Sequence, residues 1–218
     1  MSQNLSERMM DLRRALLTMC ASVEGRVAKA TKALLERDEV LAKTVKTGDA
    51  EIDRMDIDIE SECLEILALQ QPVAGDLRFV VAALRIEADL ERVGDLAKGI
   101  AKRVIAMGKQ TPIAYPDVLR DMAEAAQTIL GNSIRALAEG NASLAAHVRG
   151  EDRHVDDFYK AIVTWAVQEV AEHSKDAKSI VDLLSVVRAF ERIGDLSTNI
   201  AESVIFVVEG EVVRHAPV

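Results

Sequence analysis

The chain has 218 residues and carries 27 Lys plus Arg against 36 Asp plus Glu, a formal charge of −9 with a pI near 5.0. That acidic balance excludes nucleic acid as the expected partner, because a phosphate backbone is held through clustered cations. Aromatics are only 3 % of a chain that is 49 % hydrophobic, and Pro occurs four times. Strands are thereby short of their usual aromatic and turn residues, and an all-helical protein is expected.

In chain order, Leu5, Met9, Leu12, Leu16, Met19, Val23, Val27, Ala30 and Leu34 recur in steps of three and four, one apolar stripe on one helix. Glu7, Arg8, Asp11, Arg13 and Arg14 leave no apolar leader in this region, and no later run reaches the roughly 18 apolar residues of a membrane span. A soluble, cytoplasmic chain without membrane insertion is expected. Cys20 and Cys63 fall inside helical patterns and support neither a disulfide framework nor a thiolate metal site. A second helical pattern covers about 40–69, interrupted at Thr47-Gly48-Asp49, where Gly breaks the helix and Asp caps the next. It ends before Pro72. A third begins near Gly75-Asp76, buries Phe79, Ala83, Ile86, Leu90, Val93, Ala97, Ile100 and Val104, and ends near Gly108. Residues 111–116 hold two prolines and read as a linker. Helix four is expected over about 117–139, helix five up to about 173 with an interruption at Gly150-Glu151-Asp152, and helix six over about 176–209.

After the linker the order repeats. Residues 91–104 and 191–204 share Glu, Arg, Gly, Asp, Leu, Ile, Ala and Val at the same places, eight identities in fourteen positions. The expected architecture is therefore two tandem three-helix bundles related by internal duplication, over residues 1–110 and 117–210, six helices in all. Helices of about thirty residues would be about 45 Å long at about 1.5 Å per residue, which suggests two elongated bundles rather than one globule.

The repeated segment spaces its acids as Glu91-x-x-x-Asp95 and Glu191-x-x-x-Asp195, one above the other on a helix face. Leu77, Val81, Leu84 and Ala88 precede the first pair, so an apolar seam turns acidic halfway along the helix. Two stacked carboxylates repel, and a cation relieves that repulsion. Asp49-x-x-x-Asp53 and Asp152-x-x-x-Asp156 provide a second pair in each half, and an antiparallel neighbour would bring the pairs face to face. Four carboxylates on two helices make an all-oxygen nest suited to Mg²⁺, Ca²⁺, Mn²⁺ or iron, and poor for structural zinc. The competing explanation is structural. Asp49 and Asp152 would be N-caps, Asp53 and Asp156 would favour the positive end of a helix dipole, and the other four would form a solvated face. Taking these eight from the 36 acids leaves 28 against 27 bases, so the acidity of the chain resides in them.

At these residues the sequence resembles the PhoU family of bacterial phosphate-signalling regulators. The resemblance rests on Gln71-Pro72-Val73-Ala74-Gly75-Asp76-Leu77-Arg78 leading into Asp89-Leu90-Glu91-Arg92-Val93-Gly94-Asp95, on Glu191-Arg192-Ile193-Gly194-Asp195, on Asn199-Ile200-Ala201-Glu202, and on the tail Val208-Glu209-Gly210 with Arg214-His215. It implies two three-helix bundles in a cytoplasmic homodimer without enzymatic activity. It also implies negative regulation of the phosphate-starvation response and of phosphate uptake, through a phosphate-specific ABC transporter and a sensor histidine kinase. Some members hold multinuclear metal clusters, which implies one site at Asp49, Asp53, Glu91 and Asp95 and another at Asp152, Asp156, Glu191 and Asp195. The metal is open among Fe, Mn, Mg, Ca and Zn.

A di-metal carboxylate oxidoreductase of ferritin-like type is the alternative from another class. It needs two Glu-x-x-His motifs, and this chain has one, Glu151-Asp152-Arg153-His154. No nucleophile, base and orienter set can be assembled either, so no enzyme is expected. Arg78, Arg85 and Arg92 recur every seven residues and read as a solvated face balancing Glu87 and Asp89, with a surface for an acidic partner loop or phosphate as the alternative, while Phe158, Ile162 and Trp165 fit a core row. Asp56 and Glu60 extend the acid row in the first half only. Gly94 and Gly194 sit inside good helices at about 1 kcal/mol each relative to Ala, which points to close helix approach beside the acids.

Overall fold

A computed structural model describes residues 4–48 and 50–213. The first unit consists of α1 (Leu5–Glu36), α2 (Glu39–Thr47), α3 (Ala50–Gln70) and α4 (Ala74–Met107); the second of α5 (Val118–Glu139), α6 (Ala142–Glu172) and α7 (Ala177–Glu209), with a 3₁₀ turn at Ser174–Asp176 before α7. Among the described residues there is no strand, and no helix is long and apolar enough to cross a membrane.

Local chemistry accounts for most helix ends. Asn4 caps α1 through Ser6 N, Asp38 caps α2 by accepting from Val40 N and Leu41 N at 2.9 Å, and Asn141 caps α6 through Leu144 N. Gly140 and Gly210 close α5 and α7 in the left-handed region, at φ +62° and +78°. The break expected near Gly48 is present and separates α2 from α3. Arg26 sustains it, donating from Nη2 to Val45 O at 3.0 Å and from Nη1 to Gly48 O at 3.2 Å, carbonyls that the end of α2 leaves without helical partners.

The second interruption, expected at Gly150-Glu151-Asp152, is absent: α6 runs unbroken through it. A helical glycine is about 1 kcal/mol worse than Ala, whereas each fully buried valine contributes about 1.5–3 kcal/mol. Val148 and Val155, either side of Gly150, are both fully buried and hold the helix in register.

Each unit is an up-down-up bundle. Arg8 of α1 binds Glu62 and Glu65 near the end of α3 while Arg26 reaches its start, so α1 and α3 are antiparallel. Cys20 and Cys63 are buried in these two helices, where burial pushes each thiol up to about 12. The two units are not separate rods. α4 and α7 run antiparallel along each other: Arg103 pairs with Asp182 at 2.7 Å at one end, and Arg85 lies over the Phe206 ring at the other. One continuous core results, from Leu12 and Leu16 through Leu90 and Ile100 to Phe190 and Ile200. Residues 111–116 are held against both units, by Arg37 donating to Ile113 O and stacking on Tyr115, and by Ser179 donating to Thr111 O.

Candidate metal centres

The two acid regions are built on antiparallel helix pairs, α3 with α4 and α6 with α7. Within each pair a glycine sets the spacing. A Cβ at Gly94 would stand 3.3 Å from Ile52 Cδ1, and one at Gly194 would stand 2.6 Å from Asp152 Oδ1. The expected close approach is therefore real at both, but the neighbour differs: a core side chain in the first half, a carboxylate of the site in the second.

In the second half the structure brings together all four expected acids. Asp152 is pushed up to about 6 by burial and by Asp195, Asp156 and Glu191. Glu191 is raised by burial and by Asp195 and Asp156, and Asp195 by burial and by Asp156. Burial is the first cause at each, and the like charges of the neighbouring carboxylates add to it. Asp152 and Asp156 lie in the interior of α6, far from its start at Ala142. N-capping and the helix dipole thus do not account for them.

In the first half Glu91 is raised by burial and then by Asp95, Asp56 and Asp53, so three of the four expected acids share one neighbourhood. Asp49 lies outside the described residues. Two further features were not read from the sequence. Arg26, 6 % exposed, stands beside Asp53 and Asp95, whose charges support its guanidinium against the effect of burial. Its signal was lost because α1 carries it far from the acids in sequence. On the other side Glu87, 5 % exposed, shares a hydrogen bond with Asp56 and is pushed up to about 9 by burial, Asp56, Glu60 and Glu91. Glu87 therefore holds a proton at neutral pH, and its Oε2 has no partner. The matching positions of the second half are Tyr159, Val163 and Val187 in place of Asp56, Glu60 and Glu87.

Among the described residues no three His, Cys, Asp or Glu side chains close around one point as a preformed metal cage. What the fold provides is oxygen-only donor sets on facing helices, with Asp152 laid directly on the α7 backbone where only glycine leaves room. Such a set fits a hard cation. The single Glu-x-x-His motif does not enter it: Glu151 faces His147 and Asn132, both at 3.3 Å, and His154 is exposed.

Arg78, Arg85 and Arg92 do not form one solvated face. Arg78 packs beside Gly210, Arg85 covers Phe206 at 5.2 Å, and Arg92 lines a groove where α4 meets α7.

The family model described as PhoU domain matches the chain twice, over residues 16–104 and 119–204. The phosphate-specific transport system accessory protein PhoU homolog of Pseudomonas aeruginosa is 36 % identical over 98 % of this chain and 89 % of its own length. The corresponding homolog of Aquifex aeolicus is 33 % identical over 97 % and 96 %. Among solved structures, PhoU from Pseudomonas aeruginosa superposes with a TM-score of 0.91 at 34 % identity, covering 95 % of this chain and 100 % of that one. The phosphate transport system regulatory protein PhoU from Streptococcus pneumoniae superposes with a TM-score of 0.88 at 27 % identity, covering 96 % and 99 %.

Proposed function

This chain belongs to the PhoU family, and from that membership we propose that it is a negative regulator of the phosphate-starvation response and of phosphate uptake. It acts in the cytoplasm as a metal-binding adaptor between a phosphate-specific ABC transporter and a sensor histidine kinase. Its relatives' names as accessory and regulatory proteins support a non-enzymatic role in phosphate transport. The observation that carries the metal-binding part is the second acid cluster. Four carboxylates from two helices face one another mid-helix, where no capping role explains them, and a glycine makes room for one of them.

Asp152, Asp156, Glu191 and Asp195 would hold one cation group; Asp53, Glu91 and Asp95, with Asp49, would hold the other. A bound cation supplies positive charge that offsets carboxylate repulsion. The side chains then tie α6 to α7 and α3 to α4, stiffening the helices against which a partner rests. A homodimer is part of the same reading, and Ile57 and Leu64, 63 % and 55 % exposed and two turns apart on α3, offer an apolar strip for it.

The test is complementation of a strain lacking the chain, with a phosphate-starvation reporter. The intact chain should restore repression in phosphate-replete medium, and Glu91→Ala with Glu191→Ala should not, although it folds. Normal repression in the deletion strain would remove the regulatory reading. Full repression by the double variant would remove the metal from it and leave a scaffold.

A further inference from the structure

Positions related by the duplication meet in one place on this molecule. Arg92 and Arg192, and Leu96 and Leu196, line a single groove of about 350 Å³ between α4 and α7, together with Asp95, Lys98, Gly99 and Lys102. The pseudo-two-fold relating the two halves therefore passes through this groove. Consecutive helix positions do not face each other. The duplicated Glu-Arg-x-Gly-Asp motif accordingly sends its Glu towards α3 or α6 and its Arg into the seam.

The result is a local inversion of charge. Four cations face one carboxylate, in a chain whose net charge is −9. Arg92 pairs with Asp89 at 3.4 Å and Lys98 with Asp95 at 3.6 Å. The neighbouring groove, further along the seam, adds Asp89 and Glu202 to Arg85 and Arg92 and so has no such excess. The positive region is compact.

We propose that the groove at the α4–α7 crossing binds a condensed phosphate chain, a diphosphate or triphosphate free or carried by a nucleotide, through Arg92, Arg192 and Lys102. Guanidinium groups grip phosphate oxygens in pairs, and lysines add point charge. Mid-helix amides are already bonded within α4 and α7, so recognition rests on side chains alone. Only a ligand with several charges engages enough of them at once. A volume of about 350 Å³ equals that of roughly ten waters at about 30 Å³ each, more than a single tetrahedral anion fills. The groove shares Asp95 with the first metal centre, and its Arg192 stands near Glu191 and Asp195 of the second, but binding through the cations needs no metal ion.

The test is calorimetric titration of the chelator-treated full chain with tripolyphosphate, so that no metal bridges the anion to Asp95. Tripolyphosphate should bind at least about tenfold tighter than orthophosphate. Arg92→Gln with Arg192→Gln should weaken it at least about tenfold, Lys102→Gln about threefold. Lys32→Gln, which removes the same charge from the exposed surface of α1, should leave affinity within about twofold. ATP binding as tightly as tripolyphosphate places recognition in the phosphate chain; ATP binding more tightly names a nucleotide as its source. The proposal is overturned by equal affinity for orthophosphate, by unchanged binding in the arginine variant, by an equal loss in Lys32→Gln, or by a hexaglutamate peptide binding in place of tripolyphosphate.

Discussion

The two acid clusters descend from one duplicated motif, yet they carry their charge differently. The first sits where the chain breaks between α2 and α3. It has a buried arginine beside Asp53 and Asp95 and an extra turn of acids, of which Glu87 keeps its proton. The second sits on an unbroken helix, has Tyr159, Val163 and Val187 where the first has acids, and leaves four carboxylates facing one another. The same spacing of acids thus acquires its electrostatics from residues outside the motif. The first cluster has a buried arginine as its cationic neighbour; the second has Arg192 and Arg188 beside Glu191, and Arg192 beside Asp195.

The largest break in this contrast should come from Arg26→Ala. The side chain is buried and bonded to two carbonyls at the end of α2, so its loss leaves buried acceptors unpaired and removes a cation from beside Asp53 and Asp95. Denaturant unfolding should show a loss of about 3 kcal/mol. A loss below about 1 kcal/mol would mean that the helix break does not depend on it.

Asp152→Asn should act in the opposite direction. A carboxyl whose folded pKa is raised from 3.8 to about 6 binds protons more tightly folded than unfolded, so the metal-free protein loses stability as pH rises across that interval. At pH above about 7 the substitution should stabilise metal-free protein by about 1–2 kcal/mol, discounted for partial solvation, with no gain at pH below about 4. Added divalent cation should reverse the order of the two proteins, and melts at the two pH values with and without it decide the matter.

The glycines sharpen the comparison further. Gly194→Ala drives a Cβ into Asp152 Oδ1 and should reduce cation affinity at the second cluster at a stability loss of about 1 kcal/mol. Gly94→Ala meets only Ile52 Cδ1 at 3.3 Å, and a helix-propensity gain of about 1 kcal/mol should offset that crowding. The smallest effect belongs to Glu87→Gln at about pH 4, where the carboxyl is protonated folded and unfolded alike and stability should change by less than about 0.5 kcal/mol. As pH rises from about 4.5 to about 9 the unfolded side chain ionises while burial holds the proton on the folded one, so the wild type loses stability that the variant retains, which pH-dependent melting detects.

The helix ends expected near 139 and 209 were legible because short-range rules govern them: Gly140 and Gly210 each act within a turn of their own position. The acid pairs facing one another were legible because the i, i+4 spacing and the repeat constrain each other. The continuity of α6 through Gly150 was not, since the burial of Val148 and Val155 that outweighs the glycine is a tertiary fact. Nor was the role of Arg26, which lies on a different helix from everything it touches. The arginine row was misread for a related reason: seven-residue spacing places Arg78, Arg85 and Arg92 on one side of α4, and α7, crossing along that side, gives each a different neighbour.

Elemental analysis of protein purified without added metal, alongside Glu91→Ala/Asp95→Ala, Glu191→Ala/Asp195→Ala and the combined variant, tests the central claim most directly. Metal in the wild type, a partial loss in each pair variant and none in the combination is the expected result. A metal-free wild type, or a metal content that survives removal of all four carboxylates, would contradict it.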